Sequence, residues 1–80
     1  MNTQSAVAIR LREICKQKGI TPNKLANEAG VPQSTLKSIL GGESQNPGIV
    51  TLKKLCDGVD VKLPDFFDAP IFWSLEQEIK

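Results

Sequence analysis

Apolar residues recur every three or four positions through most of the chain, and glycine or proline closes each run. Val7, Leu11, Ile14 and Cys15 share one face of a helix expected over residues 5–18, with Ser5 as its N-cap and Gly19 as its stop. That arrangement leaves Arg10, Arg12, Lys16 and Gln17 for the wet side. Thr21 followed by Pro22 reads as an N-cap with proline at the first helical position, where its fixed φ helps and its missing N–H costs nothing. Leu25, Ala26 and Ala29 form the inner stripe of this second helix, and Gly30 ends it. A third helix is expected from Gln33 to Leu40, with Leu36, Ile39 and Leu40 inward and Gly41-Gly42 closing it.

Glu43 to Gly48 is a polar turn in which Pro47 disfavours helix at Asn46. A fourth helix follows from Ile49 to Gly58, with Ile49, Leu52, Leu55 and Cys56 on one face. Asp60 is expected in the left-handed region, which aspartate tolerates better than most residues. Leu63 to Phe67 reads as one helical turn that sets Phe66 and Phe67 over the core. Beyond Pro70, Ile71, Phe72, Leu75 and Ile79 return at helical spacing as far as Lys80. No strand pattern and no internal repeat is present. The expectation is an all-α domain of five short helices over residues 1–68 and a tail over 69–80 that caps the core or dimerises.

Eighty residues allow one domain with a small core and exclude a two-lobed enzyme. The absence of histidine removes the commonest general base and metal ligand. Cys15 and Cys56 lie forty-one residues apart, a spacing that matches neither a zinc ligand pair nor a redox C-x-x-C. A single disulfide between them is one reading; small buried thiols in a reduced cytoplasm is the better one, since both sit in helical patterns and no leader sequence is recognisable. Ser34 to Lys37 matches S-x-x-K on paper, but that hydrolase chemistry needs further motifs and a cleft between subdomains. No run of residues approaches the ~20 apolar positions of a membrane span. Nothing in the chain calls for a cofactor, a metal, a small-molecule ligand or an enzymatic activity.

Net charge is +1, yet it is unevenly spread. Residues 1–54 carry eight Lys and Arg against three acids, whereas residues 55–80 carry two Lys against six acids. A basic first part facing a polyanion and an acidic end facing away is one reading, and a solvated dipole is the other.

Pro22 to Gly41 decides between them. Two short helices cross steeply only where the elbow residues are small and the connection abrupt, and Ala26, Gly30 and Val31 supply that elbow. A helix held out in this way fits the ~12 Å major groove of B-DNA. Thr21 to Leu40 resembles the helix-turn-helix of the lambda-repressor-like, xenobiotic-response-element family, with agreement at Leu25, Ala26, Ala29, Gly30, Val31, Leu36 and Ile39. The likeness extends over about sixty residues, from the first helix with its Lys18-Gly19-Ile20 ending through Asn46-Pro47 to Val61, Leu63, Phe66 and Phe67. It implies a five-helix domain that binds operator double-stranded DNA, usually as a homodimer, and regulates transcription. Phage-type repressor, antitoxin and restriction-modification controller are not separated by these residues.

The chain also departs from that pattern. Pro22 stands where members often place a glutamine whose amide contacts phosphate and braces the third helix, so that task is lost or passes to Asn23 or Lys24. Cys15 and Leu40 replace a frequent Arg and Glu pair, an apolar exchange that is often neutral or stabilising. Pro32 stands where serine commonly caps the third helix.

Given the resemblance, Gln33, Ser34, Thr35, Lys37 and Ser38 are the expected base-contacting residues. Gln33 suits adenine, Lys37 suits guanine or a phosphate, and the Thr35 methyl suits thymine. Thr21, Asn23 and Lys24, at a helix N-terminus, and the loop residues Ser44, Gln45 and Asn46 are the expected phosphate contacts. Lys53 and Lys54 add long-range attraction or simply solvate their helix. Phe66, Phe67, Ile71, Phe72, Trp73, Leu75 and Ile79 exceed what a small core needs, which points to a dimer face. The alternative is a protein-interaction module that keeps the fold without the DNA contacts.

Overall fold

A computed structural model describes residues 1–79; Lys80, the last residue of the expected tail helix, lies outside them. Five α-helices follow one another: α1 (Thr3–Lys18), α2 (Pro22–Ala29), α3 (Gln33–Gly41), α4 (Ile49–Gly58) and α5 (Leu63–Phe67). A 3₁₀ turn, Pro70–Phe72, comes last, and there is no strand among the described residues. The all-α architecture is therefore the one expected. Asp60 takes the left-handed conformation, with φ at 58°.

Leu11, Ile14 and Cys15 of α1, Leu25 and Ala26 of α2, Leu36 and Ile39 of α3 and Leu52, Leu55 and Cys56 of α4 meet in one core. Val31 fills the elbow between α2 and α3, and Phe66 is the largest side chain sealed inside. Both cysteines are free and buried, and desolvation pushes each thiol above its ordinary pKa. Leu40 packs half-buried against the same core, so Cys15 and Leu40 both serve it as apolar residues.

Four expectations are corrected. α1 begins at Thr3 rather than Ser5, because Asn2 takes the cap and its Oδ1 accepts the Ser5 N–H at 2.9 Å. Ile49 is 60% exposed, since it opens α4 at the edge of the domain and only Leu52, a turn later, reaches the core. Among the described residues the tail is not a helix beyond Phe72. An isolated segment this short gains little from helix formation, and its Glu76 N–H instead donates to the Met1 carbonyl at 3.2 Å.

The fourth correction concerns Arg10, whose side chain is only 12% exposed rather than solvated. Its Nε donates to the Phe66 carbonyl at 2.7 Å and its Nη2 to the Asp65 carbonyl at 2.8 Å. The guanidinium also lies 6.0 Å from the Phe66 ring centroid and meets Glu13 at 3.3 Å. α5 has five residues, so its last carbonyls have no intrahelical partner, and a planar fork on α1 satisfies two of them at once. Replacing Arg10 by alanine is expected to cost about 1.5–3 kcal/mol, the worth of a charge-assisted bond, with the half-buried one to Phe66 counting for more than the exposed one to Asp65. Arg10→Lys should recover less than half, because an ammonium lacks the fork. Urea unfolding midpoints of the three proteins check both statements.

Candidate nucleic-acid interface

α2 and α3 are joined by an elbow whose geometry follows from three residues. Gly30 sits at φ 67°, a left-handed value that costs a residue with a Cβ but not glycine. This turn lets the Gly30 N–H donate to the Asn27 carbonyl at 3.3 Å and the Val31 N–H to the Ala26 carbonyl at 3.0 Å, closing α2. Pro32 then starts α3 with no side-chain cap. The Pro32 side chain offers no acceptor and its carbonyl takes the Thr35 and Leu36 N–H groups, so the Gln33 and Ser34 N–H donors of α3 remain available to an anion or to water.

At its other end α3 is tied down by groups outside its own sequence. Gln4 of α1 donates its amide to the Ile39 carbonyl at 2.8 Å, and the Ser44 N–H donates to the Ser38 carbonyl at 3.1 Å. Gln45 donates to the Gly42 carbonyl. Orphan C-terminal carbonyls are thereby satisfied, and the pitch of α3 against α1 is fixed. Neither Gln4 nor its role is visible in the sequence, because its partner lies thirty-five residues away and is a backbone atom.

The outer face of α3 carries Gln33, Ser34 and Lys37, all exposed, while Thr35 and Ser38 are half-buried. Gln33, Ser34 and Lys37 line one depression of about 660 Å³ with Asn23 and Pro22 of α2, Arg12 of α1 and Glu43. Three of the five expected base contacts and one expected phosphate contact thus share a surface. Arg12 joins them unforeseen; helical periodicity placed it on the wet side but could not say which part of the wet side. Among the described residues neither Arg12 nor Lys37 is held in an ion pair.

Other expected contacts are placed differently. Thr21 caps α2 by accepting the Lys24 N–H at 3.2 Å, which leaves its hydroxyl proton free to donate outward. Lys24 Nζ pairs with Glu28 at 3.2 Å, so its charge is already partly neutralised. Gln45 and Asn46 line a separate groove of about 540 Å³ with Asn2, Thr3, Ile49 and Phe67.

Charge falls along α3. Its first turn offers uncapped N–H donors, whereas its last turn lies under the Glu43 carboxylate, whose Oε1 would be 3.3 Å from a β-carbon at Gly41. A polyanion is therefore favoured at the end that carries Gln33 and Ser34.

The expected dimer residues separate into two groups. Phe66 is 0% exposed, and its ring meets Phe67 at 5.0 Å and Phe72 at 5.9 Å between centroids. Phe66 therefore belongs to the protomer core and not to a face between copies, since it packs in the same apolar cluster as Leu11, Leu52 and Leu55. Ile71, Phe72 and Leu75 are half-buried, while Phe67, Trp73 and Ile79 are exposed. Ile49 and Val50 add exposed apolar surface on α4.

Residues 10–70 match the family model of the Cro/C1-type HTH DNA-binding domain. The HTH-type transcriptional regulator SlrR of Bacillus subtilis (strain 168) is 43% identical over 54 residues, which are 68% of this chain and 36% of SlrR. The chain thus spans about a third of that relative's length. Among solved structures, the prophage Lp1 protein 11 superposes with a TM-score of 0.81 at 34% identity, covering 94% of this chain and all of the other. An HTH_3 family transcriptional regulator from Vibrio cholerae gives a TM-score of 0.76 at 31% identity, over 85% of this chain and 38% of its own. No helix among the described residues is long and apolar enough to cross a membrane.

Proposed function

Because the chain belongs to the family of Cro/C1-type helix-turn-helix DNA-binding domains, we propose that it acts in transcriptional regulation by reading a specific operator with α3. The observation that carries this reading is the shared depression in which Gln33, Ser34 and Lys37 stand beside Asn23 and Arg12. The exposed face of α3 enters the major groove, and these side chains meet base edges. Thr21, Asn23 and Arg12 hold the flanking phosphates, with Ser44, Gln45 and Asn46 approaching the backbone from the other side of α3. Thr35 and Ser38, half-buried, reach bases only where the groove wall closes on them.

The protein reads its operator as a homodimer. Phe67, Trp73 and Ile79, together with Ile49 and Val50, supply exposed apolar surface for a second copy. Two-fold pairing would set the two recognition helices about 34 Å apart, one turn of DNA. The names of the relatives support a regulatory role.

Salt dependence tests the phosphate contacts. With roughly four to six phosphates neutralised per protomer, the logarithm of affinity should fall against the logarithm of salt with a slope of about −0.9 per contact. A flat response would remove DNA from the reading and leave the apolar surface as the basis of a protein-interaction module. Sedimentation at micromolar concentration should return twice the chain's 8.7 kDa, and a monomer at that concentration would contradict the homodimer.

A further inference from the structure

Gln33 makes one contact within the protein that bears on how it meets a base. Its Nε2 donates to Oδ1 of Asn27 at 3.3 Å, across the elbow from the last turns of α2 to the first residue of α3. Both side chains are exposed, so the bond does not serve the core. Its effect is to remove freedom from a long side chain that otherwise samples many rotamers.

We propose that Asn27 is a positioning residue for base reading, holding the Gln33 amide in the orientation that selects adenine; this rests on the reading that α3 lies in the major groove. A glutamine amide carries two N–H donors and one carbonyl acceptor. With one N–H given to Asn27, the other N–H and the carbonyl remain as a donor beside an acceptor. Adenine presents the complement, N7 as acceptor and the N6 amino group as donor, whereas guanine presents two acceptors. An amide turned the other way would set the Gln33 carbonyl against the Asn27 carbonyl oxygen, so Gln33 flips only when Asn27 turns with it.

No other α2 side chain fills this position. Pro22 has no polar group, and Lys24 is occupied by Glu28. Asn23 lines the same depression as Gln33, but the amide of Gln33 bonds to Asn27. Bracing of the recognition helix has therefore moved to the far end of α2.

The test uses the full chain and a duplex selected from a random pool by the wild-type protein. The base pair read by Gln33 is the one whose preference disappears in Gln33→Ala. At that position Asn27→Ala should lower discrimination by about three- to tenfold, the worth of one ordering hydrogen bond, with the other positions changed less than twofold. Asn27→Asp, which keeps an acceptor and cannot donate, should retain the discrimination while binding every sequence more weakly, because its charge opposes phosphate. A uniform loss of affinity in Asn27→Ala with discrimination intact would make Asn27 a phosphate contact and overturn the proposal. Equal loss of discrimination in the alanine and aspartate variants would overturn it as well. If Gln33→Ala changes no position, Gln33 reads no base and the role of Asn27 fails, while a site still enriched by the wild-type protein leaves base reading by the rest of α3 standing.

Discussion

Phe66→Ala should remove a large share of the protein's stability. The side chain is fully sealed, in edge contact with Phe67 and tilted against Phe72, with the Arg10 guanidinium beyond it. Truncating a buried phenylalanine costs about 3–5 kcal/mol, part from lost transfer energy and part from the cavity left behind. Total stability for a domain of this length is only about 4–12 kcal/mol, at roughly 0.05–0.15 kcal/mol per residue. Collapse around the gap is limited, because two Arg10 bonds hold the α5 backbone in place. Urea titration followed by circular dichroism measures the loss directly. A cost under 1 kcal/mol would mean that α5 contributes little to the core and that the Arg10 clamp is ornamental.

Gly58→Ala should destabilise by a similar amount for the opposite reason. A β-carbon there would lie 2.8 Å from the Ala29 nitrogen and 2.9 Å from its Cα and Cβ. The obstruction is backbone, which cannot swing aside as a side-chain tip would. Overpacking typically costs 1–3 kcal/mol, and a backbone clash belongs at or above the upper end, about 3 kcal/mol. The damage would also reach function, since relief of the clash pushes α2 away from α4 and tilts the helix that presents Asn23 and Asn27. Affinity for a selected operator should therefore fall even under conditions where the variant remains folded. Unchanged urea midpoint and unchanged affinity would contradict the close approach of α2 and α4 at this point.

These two residues also mark how far the sequence alone carries. Helix boundaries at Gly19, Thr21-Pro22 and Gly30 are legible because caps and left-handed turns are local, decided by residues a few positions apart. The left-handed Asp60 is legible for the same reason. Gly58 reads only as the last residue of α4; its contact with Ala29 depends on how two helices cross. Arg10 and Gln4 bond to carbonyls of α5 and α3, and backbone acceptors leave no trace in residue identity. Periodicity likewise set Ile49 inward, although the apolar stripe of α4 runs past the edge of the core there.

The candidate site divides along the same line. Gln33, Ser34 and Lys37 stand on the exposed side of α3, because their spacing already separated them from Leu36 and Ile39. Arg12 and Asn27 were missed, since one joins the site through the packing of α1 and the other through a bond across the elbow. The tail misled most: its helical spacing is real, yet its backbone pairs with the first residues of the chain instead. Trp73, 73% exposed, is left at the surface as a consequence.

Base reading by the exposed face of α3 is the central claim, and selection from a random-sequence DNA pool tests it most directly. The wild-type protein should enrich one site, two-fold symmetric, while Gln33→Ala with Lys37→Ala should bind the pool without enriching it. Each lost bidentate base contact is worth about 1–3 kcal/mol of discrimination. Both substitutions lie on the exposed face and leave the core intact. Enrichment of the same site by the double variant would contradict the account, and so would a wild-type protein that enriches nothing.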